Sequence, residues 1–183
     1  MRLEREGLVS IERHKGARVA SWNESDIEEI YSMRTSLETL AIEWACKNAT
    51  PADLVMMEEV LAKYTSMPDK QRTRREITQI DLEFHSAVFA SAHHERLNKT
   101  WKFFVRQIHA LLVYTWSQDD KVNKQYLPHF GPDHREIIDV IRARQGKKAR
   151  ALVHAHIERG FARASSHFTD DPKKKAARLK ALP

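Results

Sequence analysis

The chain has one cysteine, Cys46, in 183 residues, which excludes an intramolecular disulfide. It has no apolar run long enough to cross a bilayer, and its N-terminus lacks the apolar core of a secretory signal, so a cytoplasmic protein with no membrane partner is expected. Glycine and proline are scarce, at five and six residues. Together with long amphipathic runs, that scarcity indicates an all-α body. The length suits one domain, or one domain with a fragment attached, burying about 70% of its unfolded surface. Lysine and arginine exceed aspartate and glutamate by 31 to 25. Much of the excess lies around Lys173, Lys174, Lys175, Arg178 and Lys180, so residues 169–183 read as a solvated basic tail rather than a polyanion-binding surface.

Helix start and stop signals divide residues 23–168 into about six helices. Asn23 to Asp26 opens one that runs to about Asn48, and Thr50-Pro51 opens a second that ends near Ser66. A third covers about 70–92 and a fourth about Glu95 to Trp116, with Trp101, Phe104, Ile108 and Leu111 on its inner face. The segment from Ser117 to Gly131 reads as a loop with a possible short turn. Helices over about 132–144 and 147–167 follow, parted by Gln145-Gly146. Links this short imply an antiparallel bundle.

Polar residues recur on the apolar stripes of these helices. Ile77, Ile80, Phe84 and Val88 mark the stripe of the third helix, and Asp81 and His85 lie within it, one turn apart. His134 begins the series continued by Ile137, Ile138 and Ile141, and His156 falls with Ala149, Leu152, Val153 and Gly160. His154 falls instead on the polar side with Arg150 and Glu158. An Asp-x3-His pair is common in a chain with ten histidines, and a buried histidine usually finds a carbonyl or carboxylate. The same exception on three helices points further, because one shared ion satisfies all four groups. Three imidazoles and a carboxylate suit one divalent transition metal per chain, zinc foremost, with nickel, cobalt, manganese or iron as alternatives. Such a set leaves one or two coordination positions for water or a small anion.

Arg34 lies on the inner stripe of the first helix with Ile27, Ile30, Tyr31 and Leu37, where a permanent cation requires an anion. That anion is either a bound ligand or Glu38, four residues on; both can hold. Arg106 lies off the inner stripe of its helix and is a weaker ligand candidate, better placed at a surface or an interface. Tyr114 and Trp116 read as core or interface aromatics.

Residues 1–22 depart from the helical pattern. Met1 to Glu6 resembles the end of a helix stopped at Gly7, and Leu8–Ile11 and Ala17–Ala20 read as short strands around His14-Lys15-Gly16. Two strands alone are not stable in water, so this piece must pack on the body or belong to a larger unit.

The runs Arg2-Leu-Glu-Arg-Glu-Gly-Leu-Val9 and Lys15-Gly-Ala-Arg-Val19 resemble the end of the recognition helix and the wing in the winged helix-turn-helix of GntR-family transcriptional regulators. Residues 24–168 resemble the effector domain of the FadR subgroup, the FCD domain. The resemblance rests on Ile30-Tyr-Ser-Met-Arg34 with Glu38, Asp81-Leu-Glu-Phe-His85, Asp133-His134-Arg-Glu-Ile-Ile138 and Ala149 through Ile157, in that order and spacing. It implies an FCD-like bundle behind a β-hairpin remnant, a metal on Asp81, His85, His134 and His156, a homodimer, and a small carboxylate or hydroxycarboxylate effector. It also implies DNA binding through the winged helix. Most of that reader is absent here, including the residues that enter the major groove; Arg2, Arg5, Arg13, Lys15 and Arg18 could touch only phosphates. The chain therefore reads as the sensor half of a repressor, whether a truncated product, a misplaced start or a fragment. Two other readings are a metal-dependent hydrolase, for which no additional acid or base is identifiable, and a metal-free dimerisation module.

Overall fold

A computed structural model describes residues 9–12, 16–19, 22–68, 72–116 and 120–166. The described residues contain a two-stranded hairpin, β1 (Val9–Glu12) and β2 (Gly16–Val19), followed by six helices. These are α1 (Glu24–Asn48), α2 (Pro51–Thr65), α3 (Arg74–Ser91), α4 (Glu95–Trp116), α5 (Asp120–Arg142) and α6 (Gly146–Ser165). The strands pair antiparallel, Val9 opposite Val19 and Glu12 opposite Gly16, so each is offset by one residue from the expected bounds. Gly16 opens β2 at φ 84°, a left-handed conformation that glycine adopts without strain. The expected helix over Met1 to Glu6, the residues His14 and Lys15, and the basic tail lie outside the described residues.

Helix starts follow the capping chemistry. The Asn23 side chain accepts from the Asp26 amide at 3.1 Å while the Asp26 carboxylate accepts from the Asn23 amide at 2.8 Å. Thr50 and Asp53 repeat this reciprocal pair at α2, where Pro51 occupies the first helical position. α3 begins later than the expected residue 70, because Thr73 caps it by accepting from the Glu76 amide.

One expectation is overturned. Of the expected loop from Ser117 to Gly131, residues 117–119 lie outside the described residues and the rest is helix: α5 is continuous from Asp120 and contains both Pro128 and Pro132. Each proline removes one helical donor, a cost that ordinarily ends a helix. Here the buried face through Phe130, His134, Ile137, Ile138 and Ile141 outweighs it, and the Tyr64 hydroxyl donates to the Leu127 carbonyl at 2.7 Å beside the interruption. Tyr64 also packs on Phe130, with ring centroids 4.4 Å apart.

α1 packs most extensively on α6 and also touches α3, α4 and α5. Its C-terminal end is clamped. The Arg144 guanidinium, in the turn between α5 and α6, donates to the carbonyls of Cys46 and Ala49 at 3.1 and 2.6 Å, and the Asn48 amide donates to the Ala92 carbonyl at 2.9 Å. These bonds satisfy carbonyls that a helix end leaves without partners. Phe89 stacks on Trp101 at 4.2 Å between α3 and α4, and the Trp101 indole donates to the Ser86 hydroxyl at 2.8 Å.

Candidate metal centre

Where α1, α3, α5 and α6 meet, the apolar core is interrupted by polar groups. Asp81 and His85 come from successive turns of α3, His134 from α5 and His156 from α6, and all four are buried. One ligand atom from each lies within 4.8 Å of every other. The imidazole centroids are 5.1 to 5.6 Å apart. Phe84 closes one side, edge-on to His134 at 4.6 Å.

The outer nitrogens of two rings are already committed. His134 Nδ1–H donates to the Phe130 carbonyl at 2.6 Å, and its Nε2 faces inward, 3.1 Å from Asp81 Oδ1. His85 Nδ1 is 2.6 Å from Glu38 Oε2, so its Nε2 likewise points inward, 3.8 Å from Asp81 Oδ1. That Nε2 is buried and has no hydrogen-bond partner. His156 Nδ1 faces Asp133 Oδ2 at 3.8 Å, an electrostatic contact too long for a hydrogen bond. A carboxylate or carbonyl behind each imidazole is the arrangement that orients metal-binding histidines.

The electrostatics favour deprotonated forms of His156 and Asp81. Burial lowers the His156 imidazole to about 4, with His134 and His85 adding to the effect against the opposing pull of Asp133 and Asp81. Burial raises Asp81, but His134, His85 and Arg34 outweigh it and hold the carboxyl far below its ordinary range. Burial also raises Glu38, yet the Arg34 guanidinium and His85 bring it down to about 2. Asp133 is held at about 2 in the same way, by His156 and by Arg159, which donates to it at 2.7 Å. The donor set fits a metal: three imidazole nitrogens and one carboxylate oxygen converge at a buried point. No other group of this kind occurs among the described residues.

Arg34 is buried, as its place on the inner stripe implies, and its charge is met by Glu38, with Nε to Oε1 at 2.5 Å. Its Nη2 stands 3.8 Å from Asp81 Oδ2. Glu38 therefore bridges Arg34 and His85. The hydroxyls of Tyr31 and of Thr78, one turn ahead of Asp81, are buried without hydrogen-bond partners. Arg106 is not brought to the centre; it lines a groove with Val60, Gln79, Glu83 and His109. His154 is exposed and pairs with Glu158 at 3.4 Å. Tyr114 is exposed rather than core. Arg2, Arg5, Arg13 and Lys15 lie outside the described residues, and Arg18 is a residue of β2.

Sequence reasoning missed Asp133, Arg159 and the Phe130 carbonyl as supports. Asp133 lies beside the His134 stripe rather than on it, and no periodicity marks a residue that reaches a neighbouring helix from the flank. The carbonyl, four residues before His134, is invisible to side-chain patterns.

Residues 29–159 match the family model described as the FCD domain. Over 154 residues the chain is 23% identical to an uncharacterized HTH-type transcriptional regulator, YdhC, of Bacillus subtilis (strain 168), covering 84% of this chain and 66% of that protein. It is 26% identical over 161 residues to the galactonate operon transcriptional repressor of Escherichia coli (strain K12), covering 78% and 67%. The chain thus spans about two thirds of the length of these relatives. Among solved structures, E. coli McbR/YncC superposes with a TM-score of 0.77 at 19% identity, over 92% of this chain and 77% of that one. A GntR family member from Pseudomonas syringae pv. tomato gives 0.65 at 20% identity, over 93% and 69%. At these identities the structures show the shared fold alone.

Proposed function

Given that the chain belongs to the FCD domain family, we propose that it is the effector-sensing part of a GntR-type transcriptional regulator of the FadR subgroup. In this reading Asp81, His85, His134 and His156 hold one divalent transition metal, with zinc the first candidate. The observation that carries it is His85: its Nδ1 is fixed by Glu38 while its Nε2 is buried, inward-facing and without a partner. A buried nitrogen in that state costs about 1–3 kcal/mol unless something is bound there.

The metal, when bound, supplies a Lewis-acidic position for an anionic oxygen. The effector is a small carboxylate or hydroxycarboxylate. Arg34 contributes positive charge beside Asp81, and the buried Tyr31 and Thr78 hydroxyls are available as neutral donors. Binding would bias the position of α1, which carries Tyr31, Arg34 and Glu38 and leads back to the hairpin. The hairpin is read as part of a winged helix, Arg2, Arg5, Arg13, Lys15 and Arg18 as phosphate contacts, and the assembly as a homodimer. This chain alone would then bind duplex DNA weakly, without sequence preference and with strong salt dependence. A hydrolase reading has no support, since the relatives matched are named as transcriptional regulators.

Native mass spectrometry of protein purified without chelator tests the metal: one ion per chain is expected. Thermal shift with acids and their amides tests the effector class, because a neutral analogue loses both the metal bond and the charge-assisted hydrogen bonds. A carboxylate that stabilises metal-loaded and metal-free protein equally would refute the link between coordination and sensing.

A further inference from the structure

α1 and α6 leave an open groove along their shared seam. Its volume is about 260 Å³, and Glu28, Tyr31 and Thr35 of α1 face Ile157, Glu158 and Phe161 of α6 across it. The metal centre lies behind this seam, since Arg34 and Glu38 project to it from α1 and His156 from α6. Asp81, His85, His134 and His156 are at most 8% exposed, so an ion or a small acid needs a path to them.

Tyr31 stands between the two spaces. Its side chain lines the groove, while the buried Arg34 guanidinium, whose Nη2 is 3.8 Å from Asp81 Oδ2, lies 5.8 Å from its ring centroid. Two features leave this ring free to turn. A buried tyrosine usually gives its hydroxyl a partner, but that of Tyr31 has none, so no hydrogen bond from the hydroxyl anchors the ring inward; displaced into the groove, the hydroxyl would meet water. Beneath the ring lies Gly160, where a Cβ would stand 3.3 Å from Tyr31 Cε1 and 3.5 Å from its hydroxyl oxygen. Glycine inside a helix is destabilising relative to alanine, and here it leaves bare backbone for the ring to slide across. The groove is also large enough to receive the ring, because it has the volume of about eight waters at roughly 30 Å³ each and a phenol group is smaller.

We propose that Tyr31 is the gate of the buried centre, through which a divalent ion or a small carboxylate passes from the α1–α6 groove. The inference rests on the metal reading given above and adds the route to it. In the closed position the ring separates Arg34 and Asp81 from the groove; in the open one it lies between Ile157 and Phe161, and the passage runs over Gly160. Motion of one side chain then suffices for exchange, and the bundle need not come apart.

Stopped-flow measurement of zinc entry into chelated protein, and of zinc loss to a chromophoric chelator, tests this. Tyr31→Ala should speed entry and loss alike, each at least tenfold, whereas Tyr31→Phe, which keeps the ring, should accelerate neither. Damage to the centre would speed loss alone, and that result overturns the proposal. A second test leaves Tyr31 in place and plugs the groove. Glu158→Cys, at an exposed position on its rim, carrying a bulky maleimide should slow entry at least tenfold; the same label on Val55→Cys, exposed on α2, should not. Cys46 is buried, which directs the label to the introduced thiol. If Tyr31→Ala fails to fold, the plugged protein decides. Acceleration by Tyr31→Ala with no effect of the plug means entry by another route, and the gate is refuted. Zinc bound at equilibrium with entry rates unchanged throughout refutes the gate and leaves the metal reading standing, while a chain that binds no zinc at all overturns both.

Discussion

Replacing Glu38 by glutamine isolates the residue that joins two parts of the centre. One carboxylate oxygen accepts from Arg34 Nε and the other from His85 Nδ1. Glutamine keeps the shape but has a single acceptor oxygen, so one of the two donors must lose its partner. If the amide oxygen stays with Arg34, the amide NH2 faces His85 Nδ1 and favours the tautomer protonated on Nε2, which cannot ligate. If it stays with His85, a buried guanidinium meets an NH2 group. Losing a charge-assisted hydrogen bond costs about 1.5–3 kcal/mol, and a buried charge left without its partner costs about 3–5 kcal/mol, so a loss near 3 kcal/mol is expected. At about 2–4 °C per kcal/mol for a domain of this size, Tm should fall by roughly 10 °C. Metal affinity, read by competition with a chromophoric chelator, should fall about 10- to 100-fold. An affinity within about threefold of wild type, with Tm unchanged within error, would refute the reasoning, because the imidazole orientation would then owe nothing to Glu38.

Elemental analysis of single variants should show His134→Ala and His156→Ala losing most bound metal while His154→Ala retains it, since His154 faces solvent two residues from His156; equal retention in all three would remove the assignment. For chelated protein, urea titrations should show stability falling as pH drops from 6.5 toward 4. The folded-state value of His156 is lowered to about 4, so in that window the unfolded chain takes up a proton that the folded chain refuses. The stabilisation is complete above the unfolded value and lost below it, by up to roughly 3 kcal/mol; an unchanged slope in His156→Gln would locate the effect elsewhere. Tyr64→Phe removes the donor to the Leu127 carbonyl beside the two prolines of α5 and should lower unfolding free energy by about 1 kcal/mol; a neutral result would show that this turn needs no outside donor.

Much of this architecture is legible in the sequence because local chemistry and burial agree there. Asn23 and Thr50 are caps whose partners sit three residues on, and α4 has an uninterrupted apolar face bounded by Glu95 and Trp116. Asp81, His85, His134 and His156 could be found because each occupies a position where its helix otherwise places an apolar side chain. α5 could not be read in the same way. Pro128 and Pro132 are local stop signals, and only the tertiary burial of Phe130 and the hydroxyl of Tyr64, about sixty residues away in sequence, shows why the helix continues through them. Glu38 was legible as a partner for Arg34, four residues before it, but its bond to His85 depends on how α1 crosses α3. Asp133 and Arg159 depend in the same way on the approach of α5 to α6.

The clamp at the end of α1 determines how that helix can move. With 25 residues at 1.5 Å each, α1 is about 37 Å long, and its C-terminal carbonyls are tied to Arg144 while Asn48 is tied to Ala92. A rigid rod held at one end acts as a lever with its fulcrum there. Arg34 and Glu38 sit partway along it, closer to the fulcrum than Glu24 is. A tilt of about 5° shifts Glu38 by roughly 1 Å and Glu24 by about 3 Å, given the same rise per residue. Small adjustments around His85 are thus magnified about 2.4-fold at the end of the helix that leads to the hairpin, and cutting the tether with Arg144→Ala would spread the same push over both ends.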